Sequence, residues 1–203
     1  MSHALGSDLE AESPLKGHWV ILEPLSAENA VEVAQLNRPR EMTPQMGGAQ
    51  ERRDVPSSFG PPLVVRLAAS SEAVGLMENG EMIGYPGVAV VVIFVDPARA
   101  RAGAALEAYT MYIDYVFAWG ARVVHLEVLS FNREVLSLLR KAKAAPQVRL
   151  RQHAFVAGHY WDLLVFGFTH AEWLLQVAPW RRLMPGGDRR PKAFGRNRKA
   201  GPE

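Results

Sequence analysis

Cysteine is absent from the 203-residue chain. Its absence excludes disulfides, thiol nucleophiles and cysteine-ligated metals. Small secreted domains are commonly stapled by disulfides, so a reducing cytoplasm is the expected setting. Also missing is any uncharged apolar run approaching the roughly 20 residues that cross a bilayer, and no membrane association is expected. The opening stretch MSHALGSDLEAESPLKG is polar and partly acidic. A secretory signal would start basic and then turn apolar. Charge of either sign is in small excess only, and a net charge of +2 argues neither for nor against nucleic acid. There is no internal repeat, no GxGxxG and no GxxxxGK, the glycine-rich signatures of dinucleotide and nucleotide phosphate loops.

What remains is an ordinary globular composition, 48% hydrophobic and 22% charged. It is enough for one sizeable core. A single domain over residues 15–180 is expected, with an extension at 1–14 and a tail at 181–203. From Arg181 onward the chain holds eight Lys/Arg against two acids, is rich in Gly and Pro, and lacks an apolar period. Such composition reads as a solvated, disordered tail. The rival reading is an arm that touches RNA, the ribosome or another polyanion through phosphate attraction.

Residues 18–25, HWVILEPL, read as a strand, and Ser26 stands where it can cap a helix over AENAVEVAQLN. Residues 38–62 are dense in Pro, Gly and charge, a long excursion expected to border a substrate site. Strands follow at 63–68, 73–79 and 88–95. The last, VAVVVIFV, is apolar throughout, as in a strand buried on both faces. GAALEAYTMYIDYVFAWG has helical spacing and ends at Gly120, a natural helix stop. ARVVHLEVLS is a further strand, and Asn132 caps the helix NREVLSLLRKAK. VRLRQHAFVAGHYWDLLVFGF reads as a hairpin turning near Ala157-Gly158, followed by a short helix, HAEWLLQVAPW. This order implies an α/β mixed sheet with helices on both faces.

The stretch DPARARAGAALEAY, residues 96–109, carries the first functional signal. A strand runs through a tight turn into a helix that begins with small residues. The first amides of a helix lack intrahelical partners, and the aligned peptide dipoles make that end positive. Ala102, Gly103, Ala104 and Ala105 let a phosphate approach the backbone closely, and Arg99 and Arg101 can add charge. The same local pattern is equally that of a plain strand-to-helix turn.

Taken in order, LKGHWVILEPLSAENA, VVIFVDPARARAGAALEAYTMYIDYVF, HLEVLSFNREVLSLLRKAKA and VRLRQHAFVAGHYWDLLVFGFTHAEW resemble the GNAT superfamily of acyl-CoA N-acyltransferases. The similarity is to the RimJ/RimL-like branch, which acts on ribosomal proteins and small amines. It covers residues 15–177, with 38–75 matching poorly. The resemblance implies a mixed, mostly antiparallel sheet that splays between its fourth and fifth strands, with helices on both faces. It implies acetyl-CoA as co-substrate, no metal, a primary amine as acceptor and direct transfer in a ternary complex. Gly103 and Ala105 match the two small positions of the family's pyrophosphate turn, where its Gln/Arg position falls on Ala100. The unpaired strand edge that would meet the pantetheine amides lies at Ile93, Phe94 and Val95. Asn132 matches an asparagine that commonly contacts the pantetheine arm. Lys143 and Ala144 stand where a Gly-Phe pair is usual, and Leu139 where a tyrosine acid is usual. Related proteins are often dimers, so a homodimer is expected too.

Acyl transfer to an amine requires a neutral amine. Glu127, five residues before Asn132, resembles the glutamate that draws the proton off through water. His125 lies two residues earlier, on the same strand face. An acid here can also simply face solvent or pair with Arg122. Arg151 and His153 on the hairpin are candidates for binding an acidic group of the substrate. His153 and His159 lie on opposite arms, but no third ligand has metal-site spacing. Two rival readings stay open: a non-catalytic acyl-CoA sensor on the same fold, and a ribosome- or RNA-associated protein working through its tail.

Overall fold

A computed structural model describes residues 14–36, 59–82 and 84–184. The N-terminal extension, most of the 38–62 excursion and the tail beyond 184 lie outside the described residues. The strands are β1 (Leu15–Lys16), β2 (Val20–Pro24), β3 (Leu63–Leu67), β4 (Ala73–Glu81), β5 (Val88–Val95), β6 (Val123–Leu129), β7 (Val148–Val156) and β8 (His159–Thr169). They form one sheet in the order β1-β2-β3-β4-β5-β6-β8-β7. Every neighbouring pair is antiparallel except β5 with β6. The helices are α1 (Ala30–Ala34), α2 (Ala102–Ala118), α3 (Arg133–Lys141) and α4 (His170–Leu183).

The sheet is covered on both faces, as expected. On one face, Val33 and Leu36, in and just past α1, bury Val64, Leu76 and Phe94. On the other, α2, α3 and α4 pack over the larger cluster, with Ala108, Tyr112, Val116, Leu139, Trp173 and Val177 against Val65, Val91, Leu126 and Phe166. The apolar run of β5 follows directly. Ala89, Val91, Ile93 and Val95 face α2, whereas Phe94 faces α1. Each fully buried aliphatic side chain of this kind contributes about 1.5–3 kcal/mol of transfer free energy.

β5 has the bounds read from the sequence, and the β7–β8 turn falls at Ala157 and Gly158, both at positive φ (51° and 81°). α1 is shorter than the helix expected over residues 27–37. Ser26 and Asn29 cap each other's amides, Ser26 N to Asn29 Oδ1 at 2.8 Å and Asn29 N to Ser26 Oγ at 3.4 Å, and spend the first turn outside the helix. α4 runs past Trp180 to Leu183, three residues into the stretch assigned to the tail. Thr169 and Glu172 start it with a reciprocal capping box. Near its end, Arg181 is tied down by Asp114 of α2, which also accepts the Trp173 indole N–H at 2.7 Å.

One structural device had no local sequence signal. The Glu107 carboxylate, buried on α2, accepts backbone amides from His18 (2.7 Å), Trp19 (2.7 Å) and Val20 (3.0 Å). It anchors the β1–β2 turn to α2 and lays Trp19 beside Gly103, where an added Cβ would lie 3.3 Å from the indole.

Candidate functional site: a parted strand pair beside a helix start

β5 and β6 pair in register from Val88↔Val123 to Val91↔Leu126, and there the pairing stops. Beyond it, residues 92–95 remain bonded to β4, from Glu78↔Val92 to Gly75↔Val95. Glu127, Val128 and Leu129 pair only with β8. Past the end of β6 the chain is drawn further toward β8, through Ser130 N to Asp162 O (2.9 Å) and Asp162 N to Ser130 Oγ (3.1 Å). The two strands therefore diverge like the arms of a fork.

The fork exposes hydrogen-bonding backbone. Successive residues of a strand direct their N–H and C=O groups to opposite neighbours. Asp96 N donates to Val74 O of β4 at 2.7 Å, and Phe94 O lies against Gly75 of β4. Alternation then turns the backbone of Ile93 and Val95 into the fork. Of the three residues expected on this edge, Phe94 is the exception: its backbone faces β4 and its side chain lies under α1. Unpaired strand groups are strong donors and acceptors that require partners.

The open edge leads into the first turn of α2. Asp96 shapes the connection, its carboxylate accepting Ala98 N at 2.9 Å and its carbonyl accepting Arg99 N and Ala100 N. Ala105 N returns to Arg101 O, so the amides of Ala102, Gly103 and Ala104 precede the first intrahelical bond. Arg101 is the N-cap residue and makes no side-chain capping bond. The two arginines divide. Arg99 is committed to Glu72 and Asp96, each at 3.3 Å, whereas Arg101 is exposed.

His125 and Glu127 lie on the face away from α2, because the alternating Val124, Leu126 and Val128 pack into the α2 side. Both are half-buried. Glu127 is the first β6 residue past the last β5–β6 pair, at the mouth of the fork. Arg122, an expected partner for Glu127, instead donates to Pro86 O at 3.0 Å. Burial holds His125 below the ordinary histidine range, with Glu127 pulling the other way. The His125 Nδ1 atom is buried with no hydrogen-bond partner among the described residues. Glu78, register partner of Val92, shares this face across β5. Sequence reasoning passed over Glu78, and the signal was an acid inside an otherwise buried strand, AVGLMENGE.

Asn132 caps α3 by accepting Val135 N at 3.2 Å, which leaves its amide nitrogen unspent by the cap. Leu139 is buried in the core, so the position where the resembled family carries a tyrosine supplies no hydroxyl. Arg151 and His153 are exposed in the irregular part of β7 between Leu150 and Ala154. That stretch is braced by Asp162, which binds Gln152 N (2.9 Å) and Arg149 Nε (2.7 Å). These bonds, Gln152 first, hold Asp162 below the usual carboxylate range. β7 is separated from β6 by β8, about 10 Å across the sheet. Arg151 and His153 are thus not brought together with His125 and Glu127. No group of three His, Asp or Glu able to hold a metal occurs among the described residues.

The arrangement suits a narrow ligand with an anionic end. Amide-like groups along its length would pair with Ile93 and Val95, and the anion would meet the α2 amides and Arg101.

No family model matches the sequence, and no curated protein matches it. The fold does match solved structures. A GCN5-related N-acetyltransferase from Brucella melitensis aligns with a TM-score of 0.64 and 22% identity, over 85% of this chain and 86% of that one. Spermidine N-acetyltransferase from Vibrio cholerae, solved in complex with CoA and spermine, aligns at 0.62 and 18%, over 78% and 99%. Ribosomal-protein-S5-alanine acetyltransferase from Vibrio fischeri aligns at 0.60 and 12%, over 80% and 99%. The chain has the fold of the GNAT acetyltransferases.

Proposed function

We propose that this protein is an acetyl-CoA-dependent N-acetyltransferase that transfers the acetyl group directly to a primary amine. The observation that carries the reading is the parting of β5 from β6 beyond Val91 and Leu126, immediately beside the uncapped start of α2. Ile93 and Val95 would pair with the pantetheine amides. The amides of residues 102–104, with Arg101, would hold the pyrophosphate, and the spare amide nitrogen of Asn132 would reach the pantetheine arm. Acetyl-CoA, when bound, supplies an activated acyl carbon at the fork.

The chain's own residues then do three things. The α1-side face, with Glu78, His125 and Glu127, attracts a cationic amine. Glu127 takes the proton that the amine loses on attack, directly or through water. His125, held largely neutral by its burial, orients that acceptor group or relays the same proton. Free amines have ordinary pKa values near 8 for an α-amine and near 10.4 for lysine, so a base at the point of attack is required at neutral pH. The acceptor is a peptide N-terminus or a small-molecule amine.

The test is thiol release from acetyl-CoA across a panel of α-amino peptides, polyamines and simple alkyl amines, beside the Glu127→Gln variant. Acceptor-dependent release that collapses in the variant supports the reading. Saturable binding of acetyl-CoA without turnover of any amine would favour an acyl-CoA sensor instead.

A further inference from the structure

On the α1 side of the sheet, the half beyond β6 carries apolar side chains with no described helix over them. Among the described residues, α1 covers this face only over β3–β5, where Val33 and Leu36 meet Val64, Leu76 and Phe94. Directly opposed antiparallel residues share a face, so the register lays out the remainder in rows. Glu127 of β6 is followed by Val165 of β8 and then by Val148 of β7. In the adjoining row Leu129 is followed by Leu163 and Leu150. Val165 and Leu163 are half-buried, whereas Val148 and Leu150 are 46% and 40% exposed. Large apolar side chains grouped on an open face mark a binding surface.

Three features fix what can lie there. First, the row through His125 is closed. Its β8 partner is Gly167, and the Gln147 side chain sits on that glycine: Nε2 donates to Gly167 O at 3.2 Å, and an added Cβ would collide with Oε1. A chain that leaves Glu127 away from β5 is therefore directed along Val165 and Val148. Second, the apolar floor is continuous with the base. Glu127 and Val165 are register partners, and β7 lies about 10 Å from β6. Third, charge is divided across the face. The carboxylates of Glu127 and Glu78 stand at the fork and on its β4 side. At the far side, Leu150 is flanked in the chain by Arg149 and Arg151, both exposed. Asp162 pairs with Arg149, and Arg151 adds a second positive charge there.

We propose that this floor selects the acceptor, and that the acceptor is a small primary amine carrying one uncharged apolar chain. The proposal rests on the acetyltransferase reading and deepens it by naming the substrate class. The amine nitrogen stands at Glu127. Its chain lies on Val165 and Leu163 and ends over Val148 and Leu150, where burial removes the apolar surface of both partners from water. A second ammonium at the end of a chain of the same length would exchange water for carbon and face Arg151, with no acid there to pair with it. The amides of a peptide fare poorly for a related reason, since the four side chains of the floor carry no hydrogen-bonding group. Val165 and Val148 are thus specificity-determining residues and take no part in moving a proton.

The test is kcat/KM for acetyl transfer to butylamine, hexylamine, 1,6-diaminohexane and alanylalaninamide, at saturating acetyl-CoA and expressed per neutral amine, in the full chain and its Val148→Glu variant. In the unaltered protein, kcat/KM should rise about 3- to 4-fold per methylene from butylamine to hexylamine, the worth of one buried CH2, chiefly through KM. Hexylamine should exceed 1,6-diaminohexane and the dipeptide by roughly 10-fold or more. Val148 is exposed at the sheet edge, so Val148→Glu should melt as the unaltered protein does. It should also reverse the order of hexylamine and 1,6-diaminohexane, whereas lost packing alone would lower both together. The diamine or the dipeptide used as well as hexylamine, no dependence on chain length, or an unchanged order in Val148→Glu overturns the inference and leaves the acetyltransferase reading standing. Thiol release with none of these amines, nor with any other primary amine, overturns both readings together.

Discussion

Val91 and Leu126 are the last residues to face each other across β5 and β6, and Glu127 is the first residue beyond them. The fork therefore opens at the side chain proposed to act as base. The edge it exposes can be altered without touching the rest of the sheet. Proline is tolerated in a strand where its missing N–H would face away from the ladder. Val95→Pro removes a backbone donor that faces the fork while the β4 side keeps its bonds. The expected result is a folded protein whose acetyl-CoA affinity falls about 5- to 10-fold, the loss of one hydrogen bond. Calorimetry and a thermal melt together check it.

Glu107 is expected to resist even a conservative change. Its Oε1 accepts one amide and its Oε2 accepts two, so both oxygens act as acceptors. Glu107→Gln must turn an NH2 group toward N–H donors. The expected cost is about 2–3 kcal/mol, read by chemical denaturation. Release of the β1–β2 turn should also quench or shift the Trp19 emission.

His125 gives a pH signature with a defined sign. Its folded value lies below the ordinary histidine value of about 6.5 because burial disfavours the charged form. Protons therefore bind the unfolded chain first as pH falls. The stability that neutral His125 maintains is fully present above about pH 6.5 and is lost as pH drops toward its lowered folded value. In His125→Gln, the difference in melting temperature from the unaltered protein should change across that window and be flat above it. A difference that is flat across the whole range would show that His125 titrates alike in both states.

Asp114 joins the last helix to the body of the protein. It binds the Trp173 indole and the Arg181 guanidinium, and burial, the leading influence on it, raises its carboxyl against the lowering pull of both partners. Asp114→Ala leaves a largely buried cation and an indole N–H without acceptors, which costs about 3 kcal/mol or more. Loss of α4 order should appear as rapid amide exchange over residues 170–183, with β2–β4 still protected.

The sequence was most legible where the determinants are local. Continuous apolarity marked β5 because both of its faces are covered. Asn132 was readable as a cap, and Ala157-Gly158 as a turn, because each acts on residues close by in the chain. The anchor at Glu107 was not readable, since its amides lie 87 to 89 positions away. Arg181 read as the start of a solvated tail because composition does not reveal that Asp114 waits 67 positions upstream. At the site, alternation put His125 and Glu127 on one face correctly. The expected edge of Ile93, Phe94 and Val95 needed the β4 pairing to separate Phe94 from the other two.

Amide hydrogen exchange with and without acetyl-CoA tests the central claim most directly. The account predicts that saturating acetyl-CoA slows exchange at Ile93 and Val95 and at residues 102–104, while Phe94, already bonded to β4, changes little. Binding that protects other segments and leaves those amides untouched, or no protection anywhere at saturating ligand, would contradict it.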